Sequence, residues 1–181
     1  YLPEAMFNFL SLLGWSLDGD TEIISKEDLV SKFDPSRISS ASAIFDIEKL
    51  NWMNGHYIRS MSRLELSQIL RSYWKEFPPE IFDRNPSSDE VDKISKLVQE
   101  RIKVLSEASD LVAFVFKDEI TYDPSELIQK QMDAESTTRI LDRVDELVSK
   151  IEIFSSSAIE VELRALADSM DVKVGTLLGT I

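Results

Sequence analysis

The chain has 181 residues, 43% of them hydrophobic and 29% charged, with a formal net charge of −13. That is a globular composition, enough for one large domain or two small ones. No run of 18 apolar residues spans a membrane, and no leader-like segment opens the chain. The absence of cysteine excludes disulfides and thiolate zinc sites and fits a reducing compartment. A single His56 cannot build a His-based metal site or a Ser-His relay, and no Gly-rich phosphate loop is present.

Leu2 to Leu13 reads as a helix: Pro3 suits its first turn, Glu4 its N-terminal dipole and Gly14 its stop. Ser16 to Thr21 is a polar loop; Asp18, Gly19 and Asp20 lack the spacing of a calcium loop and read as a turn. Ser25 and Asp28 start a short helix, Lys26 to Lys32. A loop rich in Ser and Ala follows, then Ile44-Phe45-Asp46 and a helical run with Asp46 as N-cap. Leu50, Met53 and Tyr57 share a face there, and Gly55 is expected to interrupt the helix. Ser62 with Glu65 opens a helix to about Trp74, whose exposed side carries Arg63, Arg71 and Lys75. Pro78-Pro79 and Asn85-Pro86 bracket a linker.

Beyond the linker, Ser88 is expected to cap a long helix, about Asp89 to Ser106, striped by Val91, Ile94, Val98, Ile102 and Leu105. An apolar helix of about Ala108 to Lys117 follows, and Asp123-Pro124 starts a third. Two amphipathic helices, about Ser136 to Ile151 and Ser157 to Met170, complete the pattern. The sequence therefore predicts an all-α fold in two helical subdomains: 1–76, a linker at 77–87, and 88–181. Charge divides unevenly, with a net of −4 up to Lys103 and −9 beyond it, so any nucleic-acid contact is expected in the first part.

Arg37, Ile38, Phe45, Asp46, Lys49, Leu50, Trp52 and Asn54, at fixed spacing, resemble the Phe-Asp-x-x-Lys-Leu-x-Trp-x-Asn signature of bacterial and organellar glutamyl-tRNA synthetases. The opening YLPEAMFNFLSLLGWS and the closing Lys173-Val174-Gly175-Thr176-Leu177 are similar to the same family. The resemblance covers nearly all of the chain and is weaker in the middle; it implies that one or two very short strands are possible near the N-terminus, where the family has a small mixed stem-contact fold. It implies the tRNA-binding and anticodon-inspecting part of an enzyme whose catalytic half precedes it and whose final helical bundle follows it. It implies no catalytic residue and no cofactor here, ATP and Mg in the intact enzyme, tRNA(Glu) as partner, and a cytoplasmic monomer. Lys49, Arg59 and Arg63 are expected at tRNA phosphates, and Phe45, Leu50 and Trp52 as structural anchors. Arg101, inside the apolar stripe of its helix, is the expected reader of the third anticodon base and so of a discriminating enzyme, with Arg84 or Lys103 as alternatives. An acidic helical scaffold without tRNA binding is the competing reading, favoured by composition and disfavoured by the signature.

Overall fold

The computed structural model describes residues 1–39, 44–130 and 132–181; most of the expected Ser- and Ala-rich loop, 40–43, lies outside them. The described residues are helical, with no strand among them. They form two compact units, Tyr1–Glu119 and Ile120–Ile181.

In the first unit, α1 (Pro3–Leu12), α2 (Lys26–Lys32) and α3 (Ile47–Ser60) pack together, and α4 (Arg63–Glu76), α5 (Ser88–Val98) and α6 (Glu107–Val112) follow. Local chemistry sets the starts. Ser25 accepts from Asp28 N, Asp46 from Glu48 N and Lys49 N, and Ser62 and Glu65 form a reciprocal capping box. α5 has the same box one residue earlier than expected, between Ser87 and Glu90. Phe9, Leu50 and Met53 make one small core; Trp15, Ile24 and Leu29 make another under the α1–α2 connection. The main core joins Ile58, Leu66, Leu70 and Trp74 to Val91, Ile94, Val98, Ile102 and Phe116.

That main core replaces the division expected at 77–87. α4 and α5 lie on either side of this segment yet bury their apolar stripes against each other, so it is the turn of a helical hairpin. Arg84 staples the turn, donating to both carboxylate oxygens of Glu90 at 3.0 and 2.7 Å with its guanidinium 5.0 Å from the Phe116 ring centre. Arg84 and the Ser87 donors hold the Glu90 carboxyl down at about 2.

Further differences have local causes. α5 stops at Val98 rather than near Ser106. Gln99 is buried, and its amide donates to the carbonyls of Ile58 (3.1 Å) and Met61 (2.8 Å), closing the end of α3. The Glu107 carboxylate then takes Lys103 N and Val104 N. The expected helix to Lys117 ends at Val112 in a 3-10 turn, Ala113–Val115. In the DGD turn, the Asp18 carboxylate accepts from Asp20 N, Thr21 N and the Thr21 hydroxyl.

The second unit has a 3-10 turn, Pro124–Leu127, where a helix was expected, then α7 (Ala134–Val148), α8 (Ser156–Ser169) and α9 (Val174–Thr180). Ile140, Leu163, Leu166, Ala167 and Leu177 form its core. α8 ends with Asp171 at φ 54°, Asp171 N bonding Asp168 O and Val172 N bonding Ala167 O, which frees the chain to turn into α9.

Candidate nucleic-acid interface

α3 is the element that positions the site. It runs unbroken through Gly55, contrary to the expected interruption. Leu50, Met53 and Ile58 are buried on its inner face, and that packing outweighs the roughly 1 kcal/mol a helical glycine costs. Asn54 is wholly buried and ties three segments together. Its Oδ1 accepts from Leu2 N at 2.7 Å and its Nδ2 donates to Lys103 O at 2.5 Å. The start of α1 and the loop after α5 are thus fixed to α3.

This knot brings Lys103 across Gly55. A Cβ on Gly55 would lie 3.4 Å from Lys103 Cα and 3.0 Å from Arg59 Nη1, so both basic residues border the space the glycine leaves open. One helical turn back, Trp52 is 43% exposed, with its ring centre 6.5 Å from that of His56. Trp52, His56 and Arg59 follow at i, i+4 and i+7 on one face of α3, and Lys103 joins them from the loop. Arg59 and Lys103 are exposed and form no ion pair among the described residues. An exposed aromatic flanked by unpaired cations can stack on a base and neutralise phosphate.

The expected site residues divide. Arg59 belongs to this face. Arg63, at the start of α4, is exposed. Lys49 is bound to Glu22 Oε1 at 2.6 Å, so its charge is already answered. Leu50 is a core anchor at 1% exposure. Trp52 is not an anchor: it lies on the open face. Phe45 is 56% exposed and touches Phe9 edge-on with ring centres 5.0 Å apart. Arg37 of the signature donates to Leu17 O at 2.8 Å and lies over the Trp15 ring. Arg71, expected on the α4 rim, is paired with Asp92 and donates to Ser67 Oγ at 2.8 Å.

Arg101 is not inside an apolar stripe. α5 has already ended, and Arg101 sits exposed in the following turn, donating its N–H to Val98 O at 2.8 Å. Leu97, one turn before it, is itself 58% exposed. The packed apolar neighbours expected to hold a rigid reader are therefore missing. Arg84, an alternative reader, is engaged with Glu90 and Phe116. The position of Lys103 beside this face was missed. The i, i+4, i+7 spacing of Trp52, His56 and Arg59 was legible, but Lys103 reaches them through Asn54, a contact of sequence separation 49.

Among the described residues, no group of three or more His, Asp or Glu side chains converges as a metal site.

Residues 65–181 match the family described as "Anticodon binding domain", and the chain belongs to that family. Residues 1–52 match another, "tRNA synthetases class I (E and Q), catalytic domain". The curated relatives it resembles are glutamate–tRNA ligases. That of Dehalococcoides mccartyi strain BAV1 is 36% identical over 181 residues, all of this chain and 37% of the relative. That of Roseiflexus castenholzii is 38% identical over 184 residues, all of this chain and 36% of the relative. A crystal structure of a glutamate tRNA ligase from Elizabethkingia meningosepticum superposes with a TM-score of 0.77 at 24% identity, over 99% of this chain and 34% of that one, a likeness of fold. The chain thus spans little more than a third of the length of these relatives.

Proposed function

We propose that this chain is the tRNA-binding and anticodon-recognition part of a glutamate–tRNA ligase, a cytoplasmic, monomeric enzyme that joins glutamate to tRNA(Glu) using ATP and Mg. The observation that carries the proposal is the run of two families along one chain, a class I Glu/Gln synthetase segment followed by an anticodon-binding domain. The exposed Trp52–His56–Arg59 face with Lys103 supports it physically, because it offers stacking area and unpaired positive charge on an otherwise acidic protein. Arg59, Lys103 and Arg63 contact backbone phosphate in this reading, and Trp52 stacks. Lys49 contributes after exchanging Glu22 for phosphate. Arg101 contributes as an exposed cation; the base-discriminating role expected of it rested on rigid packing that it lacks. ATP and Mg are held by parts of the enzyme beyond these residues.

The test is direct binding of labelled tRNA(Glu) transcript to the chain, paired with ATP–pyrophosphate exchange in the presence of glutamate. Binding without exchange is the expected result. Exchange by the chain itself would place catalytic residues here, and absence of binding would favour the acidic-scaffold reading.

A further inference from the structure

The second unit is acidic, with twelve carboxylates and six basic residues between Ile120 and Ile181, and it lies beyond the part of the chain where nucleic-acid contact was expected. Its positive charge is not spread evenly. Lys130, Arg139, Arg143 and Lys173, four of those six, line a single groove of about 510 Å³ bounded by α7, the end of α8 and the start of α9. No Asp or Glu lines it; Ser136 and Thr176 do, over a floor that includes the buried Ile140. Lys150 and Arg164 lie outside it.

Arg139 and Arg143 are one turn apart on α7 and so project side by side. Each meets one carboxylate at its rim, Arg139 with Glu135 at 3.4 Å and Arg143 with Glu146 at 2.9 Å. Both pairs are more than half exposed and weak, and each leaves most of the guanidinium's donors open. Lys130 and Lys173, which also line the groove, are exposed and form no ion pair among the described residues.

We infer that this groove binds the phosphodiester backbone of RNA. The inference rests on the tRNA-binding reading above and places a second contact surface in the second unit. Hydroxyls and cations without carboxylates suit a string of phosphates. The groove is open and larger than one phosphate, and none of its cations is buried, so it suits a chain of anions rather than one captured ion. It also falls within the residues matched by the anticodon-binding family, which favours RNA over an acidic peptide.

Two double variants of the 181-residue chain test this, Lys130→Gln/Lys173→Gln in the groove and Lys150→Gln/Arg164→Gln outside it. They remove the same charge from the same unit. Each is titrated with a tRNA transcript between about 50 and 200 mM salt, with circular dichroism verifying the fold. The groove pair is expected to weaken binding about tenfold and to lower the slope of log affinity against log salt by about two; the outer pair stays within about twofold of the parent. Equal weakening by both pairs would show an effect of net charge alone and overturn the inference. No effect of the groove pair, with the parent still binding, would overturn it and leave the tRNA reading standing. Failure of the parent to bind would remove both. Inorganic phosphate at matched ionic strength is expected to compete no better than chloride; selective competition would make the groove a site for a free anion instead.

Discussion

Replacing Asn54 by alanine removes the knot on which the interface depends. Two partners lose their bonds, the buried Leu2 N and the partly buried Lys103 O. A buried donor left unpaired costs about 1–3 kcal/mol, and a half-wet acceptor about 0.5–1.5 kcal/mol. Asn54 is wholly buried, so a small cavity adds to the loss. The sum is about 2–4 kcal/mol, or a fall of roughly 10 °C in Tm for a unit of this size. All three tryptophans, Trp15, Trp52 and Trp74, lie in the first unit, so urea unfolding followed by Trp fluorescence reports that unit alone. Asn54→Asp sharpens the experiment. It keeps an acceptor for Leu2 N but turns a negative oxygen toward Lys103 O, so it should be at least as damaging, increasingly so as pH rises and the carboxyl ionises. A loss below about 0.5 kcal/mol for Asn54→Ala would refute the knot.

Three other outcomes are expected. Trp52→Ala should cost under about 1 kcal/mol of stability in urea unfolding, against the 3–5 kcal/mol of a core tryptophan, while weakening tRNA binding by about 1–3 kcal/mol in a titration. Gly55→Ala should gain up to about 1 kcal/mol in helix propensity, because Lys103 Cα stands at ordinary contact distance, yet weaken tRNA binding by displacing the movable Arg59 guanidinium. The Glu90 carboxyl is held at about 2 against an ordinary 4.5, so its contribution to stability is whole above pH 4.5 and vanishes as pH falls through about 2. Glu90→Gln should flatten the acid limb of a Tm-against-pH curve in that window.

Capping chemistry made much of the fold legible. Ser25 with Asp28 gave the bounds of α2, and the stripe Val91, Ile94, Val98, Ile102 and Leu105 is buried throughout. The end of α5 was hidden because Gln99 is recruited by carbonyls some forty residues away. The prolines and asparagine of 77–87 mark a turn, but a turn signal cannot tell a linker from a hairpin whose arms pack together. Trp52 was expected as an anchor from the resemblance, yet it is 43% exposed. It stands about 200° around the helix from Leu50, off the face that Leu50, Met53 and Tyr57 define, and that spacing placed it outside. The second unit's groove was invisible in a net of −9 counted over the whole part beyond Lys103, because its four cations are dispersed from Lys130 to Lys173 and meet only when α7 and α9 fold together.

The central claim is that the face of α3 carrying Trp52 and Arg59, joined by Lys103, meets tRNA. The most direct measurement is the salt dependence of tRNA(Glu) binding by Arg59→Ala/Lys103→Ala, set against Lys93→Ala/Lys96→Ala on the exposed side of α5. The account predicts that the first pair lowers the slope by about two and the second leaves it unchanged. Identical slopes for the two pairs would contradict it.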